Sequence, residues 1–165
     1  ITTAYAEQYG LSAASVRLSW VYGPGRTTDC VIRKMIEDAL ARRATRMSFG
    51  ADFPRQFIHV EDAVQGLLCA LDAPVLPRTT YNVTGDTRVT LEEIAQVVRT
   101  IFPGADIALE PGADPVDEFQ QKFSIDAARR DLGYVPKISL DDGIQAYARW
   151  LESTHLPHSF EVQKA

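Results

Sequence analysis

Arg55 stands at the entry to a short extended run, Gln56-Phe57-Ile58-His59-Val60, which leads straight into Glu61-Asp62 and a series of spaced aliphatic residues. A guanidinium is a planar fork of donors that matches a carboxylate or a phosphate, and a strand that feeds a helix is a rigid base for it. Side chains alternate along a strand, so Arg55, Phe57 and His59 share one face and Ile58 and Val60 the other. Arg55 therefore has two readings, an anion ligand or a solvated strand-end residue. His59 offers a proton shuttle, but a strand His beside Phe57 is more often packed and hydrogen-bonded. His155 and His158 have a ligand spacing, with Pro157 between them. Asp141-Asp142 are better explained by helix capping than by paired-carboxylate catalysis. Cys30 and Cys69 are lone thiols in different elements, so no metal site is expected. No Gly-x-Ser-x-Gly occurs, which leaves a nucleophile elbow without support.

These residues need elements to position them. Ile1–Tyr9 reads as the tail of a helix ended by Gly10. Ser15–Tyr22 reads as one strand, running out into Gly23-Pro24-Gly25. A strand that ends in such a turn is how ligand crevices begin at the carboxyl edge of an α/β sheet. A helix is predicted over Cys30–Arg43, capped by Asp29, with Val31, Ile32, Met35, Ile36, Ala39 and Leu40 as its apolar stripe. The helix after Val60 carries Val64, Leu67, Leu68 and Leu71 three or four apart, and Asp62 is placed to cap or charge-complement its start. Thr80–Val83 and Asp106–Glu110 read as strands. Thr90-Leu91-Glu92-Glu93 is a capping box for a helix carrying Leu91, Ile94, Val97, Val98 and Ile101. A short helix over Asp126–Leu132 is closed by Gly133. Ser139 caps the last helix, whose buried face is Leu140, Ile144, Tyr147, Ala148 and Leu151. Thr154–Ala165 lacks periodicity and is expected to be a disordered tail. Strands separated by helices argue an α/β fold.

Of 165 residues, 45% are hydrophobic and 24% charged, with a net charge of -5 and a pI near 5.2. That composition suits a globular chain with a core of its own. It disfavours a nucleic-acid partner, because the basic residues are scattered. No apolar run approaches the roughly 20 residues that span a bilayer. The two lone thiols suit a reducing, cytoplasmic setting. The chain begins at Ile1, within what already reads as a helix, and so reads as a piece of a longer protein.

Three motifs in order resemble the C-terminal half of the extended short-chain dehydrogenase/reductase superfamily, the NAD-dependent epimerase/dehydratases. They are Val16-Arg17-Leu18-Ser19-Trp20-Val21-Tyr22-Gly23-Pro24-Gly25, then Arg55-Gln56-Phe57-Ile58-His59-Val60-Glu61-Asp62, then Tyr81-Asn82-Val83. Leu132-Gly133-Tyr134-Val135-Pro136, with Leu140-Asp141-Asp142-Gly143-Ile144 after it, is similar to that family's closing helix. The resemblance implies the C-terminal part of a Rossmann-type parallel sheet plus a smaller α/β substrate-binding domain. Residues 1–25 would end the Rossmann domain. Residues 26–153 would be mainly substrate-binding, with 53–85 returning partly to the sheet.

The resemblance also implies an NAD or NADP cofactor, a nucleotide-activated sugar as substrate, transient oxidation as chemistry, and a homodimeric parent. The catalytic Tyr and Lys are then expected upstream of Ile1, because Tyr9 finds Ala13 and Tyr5 finds Tyr9 where Lys would stand. The Gly-rich dinucleotide turn is also missing, so the isolated chain is expected to hold no cofactor tightly and to be inactive. Arg55 matches the family Arg that pairs with the substrate diphosphate. Trp20 stands where many members have an Asn that touches the sugar nucleotide. Leu18 and Ser19 stand where the chain passes the nicotinamide, and Tyr22 matches a residue of the pocket floor. The family's second diphosphate Arg is absent from Gly112–Lys122, where Asp114, Asp117 and Glu118 would repel a diphosphate and Lys122 is the substitute cation. A dehydrogenase of a free sugar or sugar acid is the alternative, and a non-catalytic cofactor sensor or scaffold on this fold is the second.

Overall fold

In the computed structural model, which describes residues 1–115 and 117–155, the run from Ser15 to Tyr22 is two strands rather than one. Strand β1 (Ser15–Leu18) pairs parallel with β6 (Thr80–Val83), and β2 (Trp20–Tyr22) pairs parallel with β5 (Phe57–His59). Ser19 is the break at which the chain changes partner. Two further pairs lie outside this pairing: β3 (Thr45–Met47) parallel to β8 (Ile107–Leu109), and β4 (Pro54–Arg55) antiparallel to β7 (Val89–Thr90). Arg55 and Phe57 thus belong to different strand pairs, separated by Gln56.

The helices are α1 (Thr2–Tyr9), α2 (Val31–Leu40), α3 (Val60–Asp72), α4 (Leu91–Ile101), α5 (Asp126–Leu132) and α6 (Leu140–His155). The Thr90–Glu93 capping box forms on α4, and Ser139 and Asp142 bond reciprocally at the start of α6. Gly10 and Gly133 close α1 and α5 in the left-handed conformation. Asp29 does not cap α2: the N-cap is Cys30, and no side chain bonds the first turn. Asp62 does not cap α3 either. The N-cap is His59, whose ring nitrogen accepts from the Glu61 amide at 3.4 Å. The Asp62 carboxylate instead accepts from the amides of Lys137 and Ile138, at 2.9 and 3.0 Å, and holds the approach to α6 against α3.

The core lies in two parts. Ile32, Met35 and Ile36 of α2 meet Leu91, Ile94 and Val98 of α4, and Ile144, Tyr147 and Leu151 of α6, with Tyr22 and Phe57 closing that cluster from the strands. Three amphipathic stripes facing one another bury what none could bury alone. A second cluster joins Ile58, Tyr81, Val83, Ala128 and Tyr134. Neighbours Phe57 and Ile58 enter different clusters, as alternation along a strand requires. Helix α3 departs from its pattern: Val64, Leu67, Leu68 and Leu71 are 44% to 78% exposed, and its buried face is Asp62, Ala63 and Gly66. The small side of this helix packs, because Gly66 lies directly against Val83 and Tyr134. The end of the tail, with His158, lies outside the described residues.

Candidate functional site

Two cavities open on either side of Trp20. The larger, about 910 Å³, lies at the carboxyl ends of β1 and β6 and takes in Leu18, Ser19, Gln56, Asn82, Phe123 and the Gly23-Pro24-Gly25 turn. The second, about 650 Å³, is lined by Met47, Phe49, Arg55, Asp114 and Asp117 together with Trp20. Trp20, Arg26, Thr27 and Thr28 border both.

The turn that separates β2 from α2 is held open by Arg26. Its guanidinium donates to the carbonyls of Val21, Thr28 and Asp29. Gly23 has φ of 125°, and a Cβ there would come within 2.9 Å of the His59 ring, so only glycine fits the turn. Tyr22 supports the same turn from below. Its ring is 2% exposed and stacks edge-on against His59 and Phe57, at 5.4 and 6.3 Å between centroids. Its hydroxyl faces Gly143 of α6. Burial, and then the charge of Asp62, push the Tyr22 phenol well above its ordinary range. Tyr22 is therefore a floor residue by packing, and its phenol stays protonated.

His59 is equally buried, and burial pulls its pKa below the ordinary imidazole range. Nδ1 accepts from the Glu61 amide, and Nε2 is buried with no hydrogen-bond partner among the described residues. The ring is a packed helix cap, not a shuttle open to the cavity.

Arg55 and Trp20 both line the smaller cavity. The surroundings of Arg55 differ from the expectation. Its Nη2 bonds Asp114, and its Nε bonds Asp117 at 3.1 Å. The Arg55, Asp114 and Asp117 side chains are only 10%, 8% and 14% exposed. Two of the three acidic residues expected to repel a diphosphate, Asp114 and Asp117, thus hold the guanidinium themselves. Arg55 also lies over Phe53, at 5.7 Å, and Phe53 meets Phe119 edge-on. Lys122, the expected second cation, does not join Arg55. It pairs with Asp86 at 2.8 Å, and Arg129 bonds the same carboxylate at 3.0 Å. The Lys122 bond, helped by Arg129, holds Asp86 below the usual carboxylate range. Lys122 is absent from the walls of both cavities. Leu18 and Ser19 line the larger cavity, and the Ser19 hydroxyl is buried with no hydrogen-bond partner among the described residues.

Gln56 and Phe123 were not singled out from sequence, yet they form a wall of the larger cavity: the Gln56 carboxamide oxygen accepts from the Phe123 amide at 2.7 Å. The signal for Gln56 was its place beside Arg55. Nothing in the sequence joins it to Phe123. Among the described residues no group of three or more His, Cys, Asp or Glu side chains is placed to hold a metal, and no helix is long and apolar enough to cross a membrane.

Residues 1–84 match the family model described as the NAD dependent epimerase/dehydratase family, which is more than half of the chain. The chain belongs to that family. Among its curated relatives, a dTDP-4-dehydro-6-deoxy-D-allose reductase from Streptomyces is 29% identical over 151 residues, covering 88% of this chain and 45% of the relative. UDP-glucuronic acid decarboxylase 6 of Arabidopsis thaliana is 27% identical over 143 residues, covering 85% and 41%. This epimerase/dehydratase chain therefore spans less than half the length of these relatives. Among solved structures, a UDP-glucuronic acid 4-epimerase from Bacillus cereus, in complex with UDP-glucuronic acid and NAD, superimposes with a TM-score of 0.78 at 21% identity. The match covers 93% of this chain and 49% of that one. The fold is thus the α/β, Rossmann-type fold of these enzymes, and the parallel pairs β1–β6 and β2–β5 carry it here.

Proposed function

We propose that this chain is the substrate-binding half of an NAD(P)-dependent epimerase/dehydratase that acts on a nucleotide-activated sugar by transient oxidation. The observation that carries the reading is the meeting of Arg55 and Trp20 in one cavity, beside a second cavity at the carboxyl ends of two parallel strands. A guanidinium suits the diphosphate of a nucleotide sugar, and an indole offers a stacking face where it stands between the two spaces. The relatives' names refer to UDP- and dTDP-linked sugars. Substrate in this arrangement lies across Trp20, with its anionic centre toward Arg55 and its reacting carbon toward the turn after Tyr22.

The dinucleotide, when bound, supplies the hydride acceptor. This chain offers it one wall, Leu18 and Ser19 at the end of β1, and the Ser19 hydroxyl, with no hydrogen-bond partner among the described residues, suits a polar ring substituent. The 165 residues contain no Gly-x-Gly-x-x-Gly turn and no Tyr-x-x-x-Lys, so we assign the phosphate cradle and the proton-transfer pair to residues preceding Ile1 in a homodimeric parent. Lys122 bound to Asp86 favours a second reading, a dehydrogenase of a free sugar or sugar acid, in which the single Arg55 matches a single carboxylate. Steady-state kinetics of the intact parent decide between them. Turnover of UDP- or dTDP-sugars, with none of free sugars or sugar acids, is expected; the opposite preference would overturn the first reading.

A further inference from the structure

We propose that Asp114 and Asp117 set the ligand class of the Arg55 site by standing in for an anion there, so that a diphosphate exchanges for them and a single carboxylate does not. This rests on the reading of Arg55 as the anion ligand. Two carboxylates take two different nitrogens of one guanidinium, as two phosphate groups would. All three side chains are nearly excluded from water and line the same cavity as Trp20. The pair is also built as a unit. The Asp117 amide donates to Asp114 Oδ1 at 3.2 Å, and the Gly112 amide that leads into the pair donates to Asp52 at 2.8 Å. The other cations of this cavity are engaged elsewhere: Arg33 with Glu37 at 2.7 Å, Lys34 with Asp38 at 2.8 Å, and Arg26 with the carbonyls of Val21, Thr28 and Asp29.

Charge then selects the ligand. One guanidinium with two carboxylates carries a net charge of -1 in a poorly hydrated place, so an added anion is repelled while both carboxylates stay. A ligand with two negative charges that displaces both leaves the local charge unchanged. A sugar acid has one charge: replacing one carboxylate leaves it against the other, and replacing both leaves Arg55 short of a counter-charge. A neutral sugar replaces neither. The acidic pair thus excludes the sugar acid of the second reading and admits a diphosphate.

The test is calorimetric binding of UDP and of glucuronate to the 165-residue chain, as wild type, Asp117→Asn, and Asp114→Asn/Asp117→Asn, each with and without Arg55→Gln. Wild type should prefer UDP. The double variant should bind UDP about tenfold tighter, the effect of one charge-assisted hydrogen bond released to the ligand, and should gain glucuronate binding. Arg55→Gln should erase both gains. If the double variant binds UDP no tighter while Arg55→Gln still weakens the wild type, the stand-in role is wrong and the anion role of Arg55 stands. If Arg55→Gln changes nothing in any background, the anion role itself falls. Thermal melts report folding. Should the double variant fail to melt cooperatively, Asp117→Asn carries the test, with a gain in UDP affinity expected and an unchanged affinity overturning the proposal.

Discussion

Arg55 is held by Asp114 and Asp117, and these neighbours determine what substitution there does. In the intact parent, Arg55→Ala should weaken substrate by about 1.5–3 kcal/mol, the range for hydrogen bonds to a charged group. The loss should fall on KM, because an anion remote from the reacting carbon is bound alike in ground and transition states. Arg55→Lys should restore part of it, since an ammonium lacks the second directed donor. Stability responds separately. Removing the guanidinium leaves Asp114 and Asp117 with a buried charge uncompensated, at a cost of about 3–5 kcal/mol for a fully buried pair. Chemical denaturation of Arg55→Ala should show that loss, and Arg55→Lys should show much less. An Arg55→Ala protein with wild-type stability and kinetics would overturn both the anion role and the contribution of the ion pairs.

At the scale of elements, the corner between β5 and α3 should respond to pH through His59. Burial holds the His59 imidazole neutral, against the opposing pull of Glu61 and Asp62. Its folded pKa lies below the unfolded value of about 6.5. Below that value the unfolded chain binds a proton that the folded chain refuses, so stability rises with pH through this window and is flat above it. The slope for one such group is at most about 1.4 kcal/mol per pH unit. Urea melts between pH 5 and 8 should show the decline below about 6.5, and His59→Gln should remove it. Carboxylates held low, Asp38 and Asp86, lose their contribution only as pH falls further, through their own folded values. The corner is also tight. A Cβ at Gly143 would run into the Tyr22 hydroxyl, so Gly143→Ala should cost about 1–3 kcal/mol by overpacking. A denaturation midpoint equal to wild type would mean that α6 yields there.

At the scale of the molecule, the chain carries apolar surface on two helices. Tyr5 and Tyr9 of α1 are more than half exposed, and the α3 stripe of Val64, Leu67, Leu68 and Leu71 faces water. Contiguous apolar surface of this kind drives association. Sedimentation of the isolated chain should show concentration-dependent self-association, and Leu68→Glu should reduce it. A monomer at all concentrations would contradict the expectation. The same chain should bind no NAD at micromolar concentration by calorimetry, because its 165 residues contain no Gly-rich dinucleotide turn.

The sequence alone was enough for much that depends on neighbours along the chain, though not for the starts of α2 and α3, which Asp29 and Asp62 do not cap. The capping box at Thr90–Glu93, the Ser139–Asp142 pair, the left-handed ends at Gly10 and Gly133, and the buried stripes of α2, α4 and α6 were all legible, because each is a local pattern repeated at the helical period. Family membership was legible too, from ordered motifs. Tertiary structure decided what depends on distant partners. The α3 stripe has the same periodicity as the others, and yet its small face packs, because Val83 and Tyr134 lie against Gly66 while the leucines stay 44% to 78% exposed. The run Ser15–Tyr22 breaks at Ser19, because β6 and β5 arrive from different places in the chain. Asp114 and Asp117, 59 and 62 residues from Arg55, become its partners and not a repulsive rim, since hydrogen-bond reach is a property of the folded chain and charge sign alone does not say where a carboxylate points.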